Sequence, residues 1–237
     1  MHCISFKPKS VKRCPGYFQS NIMTEPIKKT EASNILYSFR RCPFAMRARH
    51  ALLSAKISVI IREVSLKNKP LELKTISQRA TVPCLQTPDR IIPESLDIMK
   101  WALSKNDPEN LLDFSAVGMD IIRYNDGPFK TCLDRTKYQS RYLDVDLGIE
   151  RKIAKDFFQE IDQRLKTEFI LGQSKTLVDL AIFPFIRQYA FIDKSWFDNQ
   201  NWSNINRWLN EFLNSETFAV IQRKYEFWKP GDKPTIF

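Results

Sequence analysis

Ile35-Leu36-Tyr37-Ser38-Phe39-Arg40-Arg41-Cys42-Pro43-Phe44-Ala45 changes character midway. Its first five residues form a short apolar strand run, which breaks at Arg40-Arg41. Phe44 to Ala55 is rich in Ala, Arg and Leu and reads as a helix. Pro43 suits the first helical position, because the N–H it lacks would be unpaired there. That puts Cys42 at the N-cap, where free backbone N–H groups and the positive helix end favour an anion. A thiolate so placed can titrate at about 3.5–7.5. The arginines at 40, 41, 47 and 49 add charge around it. Cys42 is therefore expected to be a reactive nucleophile near neutral pH.

Working outward, Ser58 to Leu66 is β-branched and predicts a second strand, and Leu71 to Ser77 a short helix. Thr81 to Gln86 and Arg90 to Ile92 read as two strands joined by the turn Thr87-Pro88-Asp89, with a helix from Glu94 to Leu103. The order βαβαββα fills residues 34–104. A polar linker with Pro108 follows at 105–113, and residues 114–237 read as an all-α domain. Helices are predicted over 112–124, 128–138, 149–168, 176–191, 205–213 and 217–225. In the longest, Ile153, Phe157, Ile161 and Leu165 form a core-facing stripe. Asn125-Asp126-Gly127-Pro128-Phe129 should break the helical course, its polar side chains either touching substrate or capping helices. The Trp and Phe residues between Trp196 and Trp228 are expected to pack the helical domain.

Scarcities exclude several function classes. The glycines are never closer than nine positions, too sparse for a phosphate-cradling loop. His2 and His50 cannot build a multi-histidine metal site, and the five cysteines show no metal-ligand spacing, so no metal is expected. The odd cysteine count argues against a complete disulfide framework and for a reducing, cytoplasmic compartment. No apolar run is long enough to span a bilayer. Net charge is +10, but the lysines are scattered among acids without a basic-aromatic face, so neither nucleic acid nor membrane is an expected partner. Residues 1–33 form a basic extension with no apolar secretion segment.

Two nearby signals bear on Cys42. Thr81-Val82-Pro83 ends a loop before a strand, and Glu94-Ser95 opens a helix. Glu94 can pair with an ammonium, while the Ser95 hydroxyl and the helix N–H groups can take a carboxylate; simple capping is the other use of both. His50 lies roughly 12 Å along the helix from Cys42 and cannot be its base. Ala45 stands where a dithiol motif has its second cysteine, so a resolving thiol must come from outside. Cys84 and Cys132 read as structural, a regulatory disulfide with Cys42 being the alternative for Cys84.

Cys42-Pro43-Phe44-Ala45, Leu66-Lys67-Asn68-Lys69-Pro70, Thr81-Val82-Pro83 and Glu94-Ser95 resemble the cytosolic glutathione transferases. The resemblance is to the cysteine-type branch, as in omega-class and related bacterial enzymes. Thr176-Leu177-Val178-Asp179 is similar to that family's buried capping box, and the likeness spans about 34–230. It implies a thioredoxin-like N-terminal domain with a cis Val82–Pro83 bond, an all-helical C-terminal domain and a homodimer. Glutathione as co-substrate would place its sulfur at Cys42 beside Phe44 and pair its cysteinyl backbone with Val82. Its glycyl end would reach Lys69, and its γ-glutamyl head Glu94 and Ser95. A second substrate, a small electrophile or glutathionylated disulfide, is expected in a cleft lined by Met119, Ile122, Arg123 and Tyr124. A cysteine at the catalytic place implies a thiol transferase or disulfide reductase, deglutathionylating or dehydroascorbate-reductase-like. Conjugation or reduction of electrophiles, and a non-enzymatic adaptor role, are the alternatives.

Overall fold

The computed structural model describes residues 34–237. The basic extension expected at 1–33 lies outside the described residues.

β1 (Ile35–Ser38) forms where the apolar run was read, and Pro43 starts α1 (Pro43–Ser54). β2 (Ile60–Glu63), α2 (Leu71–Ile76), β3 (Cys84–Gln86), β4 (Ile91–Ile92) and α3 (Ser95–Lys105) complete the expected thioredoxin-like order. The sheet runs β2-β1-β3-β4, with β1 parallel to β2 and antiparallel to β3, and β3 antiparallel to β4. The strands are shorter than their β-branched stretches, because only the residues in register with β1 are held in the ladder. α1 packs on α3, so the helix that begins at Cys42 is clamped by the helix that begins at Glu94.

The second half holds α4 (Ala116–Tyr124), α5 (Lys130–Lys137), α6 (Leu147–Arg164), α7 (Leu177–Ala190), α8 (Lys194–Asp198), α9 (Ser203–Leu213) and α10 (Glu216–Ile221). α7 is the central helix and also packs on α1. Its start is the capping box expected at Thr176 and Asp179. The fully buried Asp179 carboxylate accepts from Thr176 N–H at 2.9 Å, Ile170 N–H at 3.1 Å and Trp208 Nε1–H at 3.1 Å. Burial pushes its pKa up, and these donors pull it back.

Two expectations fail. Asn125–Phe129 does not break the helical course: it forms a π-turn continuous with α4 and α5. Pro128 removes one helical donor, and the wider turn carries the chain past it. Nor is the C-terminal part wholly helical. α10 ends at Ile221, and the tail returns to the sheet, where β2 is an edge strand with unpaired backbone groups. Val59 and Phe237 exchange N–H···O bonds at 3.1 and 2.9 Å, Ile61 N–H donates to Thr235 O at 2.9 Å, and Trp228 N–H to Glu63 O at 2.9 Å. Trp228 therefore packs on the sheet rather than the helical domain, its ring centroid 3.9 Å from the Arg62 guanidinium carbon. Among the described residues no helix is long and apolar enough to cross a membrane.

His50 is buried on α1 with its ring edge-on to Phe212 and its Nδ1 unpartnered. Burial pushes its pKa down to about 3, below the ordinary 6.5. Between these values the unfolded chain binds a proton that the folded chain refuses, so stability is lost as pH falls below 6.5. The contribution reaches about 1.4 kcal/mol per pH unit. Urea unfolding at about pH 7.5 and about pH 5 should show a smaller acid-induced loss in His50→Leu than in the native chain. Equal losses would contradict a neutral buried imidazole.

Candidate active site

Cys42 sits at the N-cap of α1 with extended backbone geometry, as its sequence context requires. Four bonds fix the turn before it. Cys42 N–H donates to Phe39 O at 3.0 Å, and Arg40 N–H to Glu63 Oε1 at 2.7 Å. Arg49 donates from Nη2 to Arg40 O at 2.9 Å and from Nη1 to the Ser38 hydroxyl. Its Nε–H reaches Ile221 O at the end of α10 at 3.0 Å. Arg49 is thus a buried brace between strand, turn and C-terminal helix, and desolvation lowers its pKa to about 10.

The thiol faces opposing influences. Desolvation by surrounding protein raises its pKa above the ordinary thiol value, while the Ala45 and Phe44 N–H groups, Arg49 and Lys130 lower it. Desolvation is the largest of these influences, although the Cys42 side chain is only partly buried. The electrostatic reason is visible in the arginines. Arg47 and Arg49 are spent on buried partners, Arg41 faces solvent, and the cation added by the helical half is Lys130. Cys42 Sγ lies 3.5 Å from Val82 O and donates to it, the arrangement of a neutral thiol.

Val82–Pro83 is cis, and its loop brings the Val82 carbonyl to Cys42. Phe44 is held edge-on to Phe185 of α7, with centroids 4.8 Å apart, and Lys130 Nζ lies 5.6 Å from its ring centroid. Ser95 is buried at the start of α3, and its Oγ accepts the Arg47 Nε–H at 3.0 Å. Arg47 continues to Asp126 of the π-turn through two 2.8 Å bonds. Glu94 is exposed, 3.9 Å from Arg79 Nη1, and Lys69 is half-exposed before α2.

The four residues read as a second-substrate wall lie along α4 and differ in exposure. Ile122 is buried in the core, and Met119 is partly buried against it. Arg123 is exposed and pairs with Asp120, and Tyr124 stacks near Phe157 with centroids 5.2 Å apart. The residue that α5 brings toward the sulfur is Lys130, missed because its place depends on how the π-turn rotates α5. Cys84 is buried in the small cluster with Tyr37, Val64 and Leu73, and burial raises its pKa to about 11. Cys132 is buried as well, its thiol donating to Glu150 O at 2.9 Å and its pKa raised to about 12. Among the described residues no group of His, Cys, Asp and Glu is disposed to hold a metal ion.

A thioredoxin-like sheet with a cis-proline loop facing a helix-capping cysteine, followed by a helical bundle around a buried capping box, defines a class. Two family models match: the glutathione S-transferase N-terminal domain over residues 36–110 and its C-terminal domain over residues 139–211. The chain belongs to the glutathione S-transferase family. It is 29% identical over 182 residues to Arabidopsis thaliana glutathione S-transferase L2, chloroplastic, an alignment covering 71% of this chain and 58% of that relative. It thus spans little more than half of that relative's length. It is 23% identical to Rattus norvegicus glutathione S-transferase omega-1, covering 67% of this chain and 68% of the relative. A glutathione transferase family member from Pseudomonas fluorescens, solved with two glutathione bound, superposes with a TM-score of 0.69 at 20% identity. That match covers 81% of this chain and 92% of the solved one.

The ligand-free thiol can be titrated by its alkylation rate with iodoacetamide. The rate should rise with a midpoint above that of an ordinary thiol, and Lys130→Met should move it higher still, since that cation lowers the pKa. A midpoint below the ordinary thiol value would show that the helix N–H groups outweigh desolvation.

Proposed function

We propose that this chain is a glutathione-dependent thiol transferase, with Cys42 as the sulfur that forms a mixed disulfide with glutathione. The observation that carries the reading is Cys42 Sγ itself, at the start of α1 and 3.5 Å from Val82 O. A serine or tyrosine hydroxyl there could only donate to glutathione; a thiol can bond to it covalently.

In this reading glutathione lies along the cis-proline loop. Its cysteinyl backbone pairs with Val82, Lys69 meets the glycyl carboxylate, and Glu94 meets the γ-glutamyl ammonium. Ser95 suits the γ-glutamyl carboxylate: its oxygen already accepts from Arg47, so its own proton is left to donate. Phe44 and Lys130 border the sulfur, where the second substrate arrives. Lys130 favours thiolates and other anions there, an effect weakened by salt.

The mechanism follows from which groups compete for Val82 O. In the ligand-free protein the Cys42 S–H donates to that carbonyl. Glutathione's cysteinyl N–H takes the same acceptor, and the thiol then loses its proton to solvent, the resulting thiolate keeping the Phe44 and Ala45 N–H groups. The Cys42 thiolate attacks the glutathione sulfur of a glutathionylated substrate. The S–S bond to the substrate breaks, the substrate leaves as a thiolate, and Cys42–S–SG forms. A second glutathione thiolate attacks the glutathione sulfur of that mixed disulfide, releasing glutathione disulfide and regenerating the Cys42 thiolate. No second cysteine takes part, in keeping with Ala45 at the alternative position and Cys84 facing the core. This chemistry suits a reducing compartment, and the assembly we expect is a homodimer.

Incubation with glutathione disulfide should add one glutathione per chain, mapped to Cys42 by mass spectrometry. Cys42→Ser should lose both the adduct and glutathione-dependent disulfide reduction. An unmodified Cys42, together with a Cys42→Ser protein of undiminished activity, would overturn the proposal.

A further inference from the structure

Arg187 lies on α7, two residues after the Phe185 that packs on Phe44. It is half-buried, its guanidinium carbon 5.1 Å from the Phe191 ring centroid and 5.3 Å from that of Phe218 on α10. Among the described residues this guanidinium makes no ion pair, and its Nε–H is buried without an acceptor. Arg47 and Arg49 differ, since every guanidinium nitrogen of both has a partner. A desolvated charge without a partner is costly, and a planar fork of donors matches the two oxygens of a carboxylate.

The charge acting on Arg187 is a second cation. Arg40 repels it, and burial and that repulsion together lower the Arg187 pKa. The Arg40 main chain is pinned two residues before Cys42, its N–H on Glu63 and its carbonyl on Arg49. Glu63 is the acid near these cations, but it is buried and shared between Arg49 and Arg40. Three guanidiniums thus draw on one carboxylate, leaving positive charge in excess between the Cys42 turn, α7 and α10. The surroundings are held in place: Ile221 O at the end of α10 accepts from Arg49, and Gln222 Nε2 lies 3.6 Å from Met46 Sδ on α1. Neither Arg40 nor Arg187 serves the glutathione placement proposed above.

We propose that Arg187 and Arg40 form a carboxylate-recognising subsite for the second substrate, so that Cys42 acts on glutathione mixed disulfides of small mercaptocarboxylates. This rests on the placement of glutathione at Cys42. Arg40 is two residues from the cysteine, so one small molecule can present its disulfide to the sulfur and its carboxylate to the arginines. When the Cys42 thiolate attacks the glutathione sulfur, the S–S bond breaks and the mercaptocarboxylate leaves as a thiolate, which solvent protonates. The arginines hold its carboxylate throughout. They act as specificity determinants, not as acid or base.

Two thioethers that cannot exchange test the subsite: S-(2-carboxyethyl)glutathione and S-propylglutathione, which differ in a carboxylate for a methyl. By calorimetry the carboxylate form should bind about tenfold more tightly, an advantage that shrinks with added salt. Arg187→Gln should remove most of that advantage and leave S-propylglutathione affinity unchanged, which reports an intact fold. Arg187→Lys should restore part of it, and Arg40→Gln should reduce it. In turnover, Arg187→Gln should raise KM for the glutathione–mercaptopropionate disulfide but not for the glutathione–mercaptoethanol one. Equal binding of the two thioethers by the native chain, or an advantage insensitive to salt, would overturn the assignment. So would an advantage that survives Arg187→Gln, which would put the carboxylate at Lys130 instead. Failure of both thioethers to bind would overturn the glutathione placement, and the assignment with it.

Discussion

The site is organised around one buried guanidinium. Arg47, 2% exposed in the first half of α1, donates from Nε to Ser95 at the start of α3 and from both Nη atoms to Asp126 in the π-turn. The rings of Phe44 and Phe185 lie beside it, with centroids 5.1 and 5.3 Å from the guanidinium carbon. A single side chain thus fixes the cysteine-bearing helix, the proposed γ-glutamyl pocket and the helical half relative to one another. Such a pair adds little net stability over an apolar replacement, but removing one partner strands a buried charge at about 3–5 kcal/mol. Its value is geometric. Arg offers a rigid fork that Lys cannot, and Asp126 can meet it because the π-turn presents that carboxylate where a regular helical turn would carry it elsewhere.

Much of this was legible in the residues. Pro43 after a strand run names the helix start, and with it the place of Cys42. The ordered motifs at 42–45, 81–83, 94–95 and 176–179 carry both halves of the fold, because each marks a backbone event that only certain residues permit. What stayed hidden depends on long-range contact. Arg47 reads from sequence as charge near a cysteine; its role appears only when Asp126, 79 positions later, is brought to it. The π-turn was read as a break because Pro128 ends an α-helical ladder, and nothing local distinguishes an ending from a widened turn. The C-terminal tail has no strand periodicity of its own, and its pairing is dictated by the open edge of β2. Of the side chains expected to wall a second-substrate cleft, Ile122 is buried and Arg123 exposed, a difference set by packing.

The same difference between local and global environment governs Cys42. Local rules, a helix N-terminus and neighbouring arginines, favour a thiolate. The folded environment desolvates the sulfur, diverts two of the arginines into buried structure and gives the thiol a carbonyl to donate to. In the account proposed here these opposing influences make the thiol's state depend on whether glutathione holds the Val82 carbonyl. The most direct test is the pKa of Cys42, read from thiolate ultraviolet absorbance, with and without S-methylglutathione, which can occupy the site but cannot form a disulfide. The account predicts a value above that of an ordinary thiol in the free protein and a clear fall on saturation. An unchanged or higher pKa in the complex would contradict it.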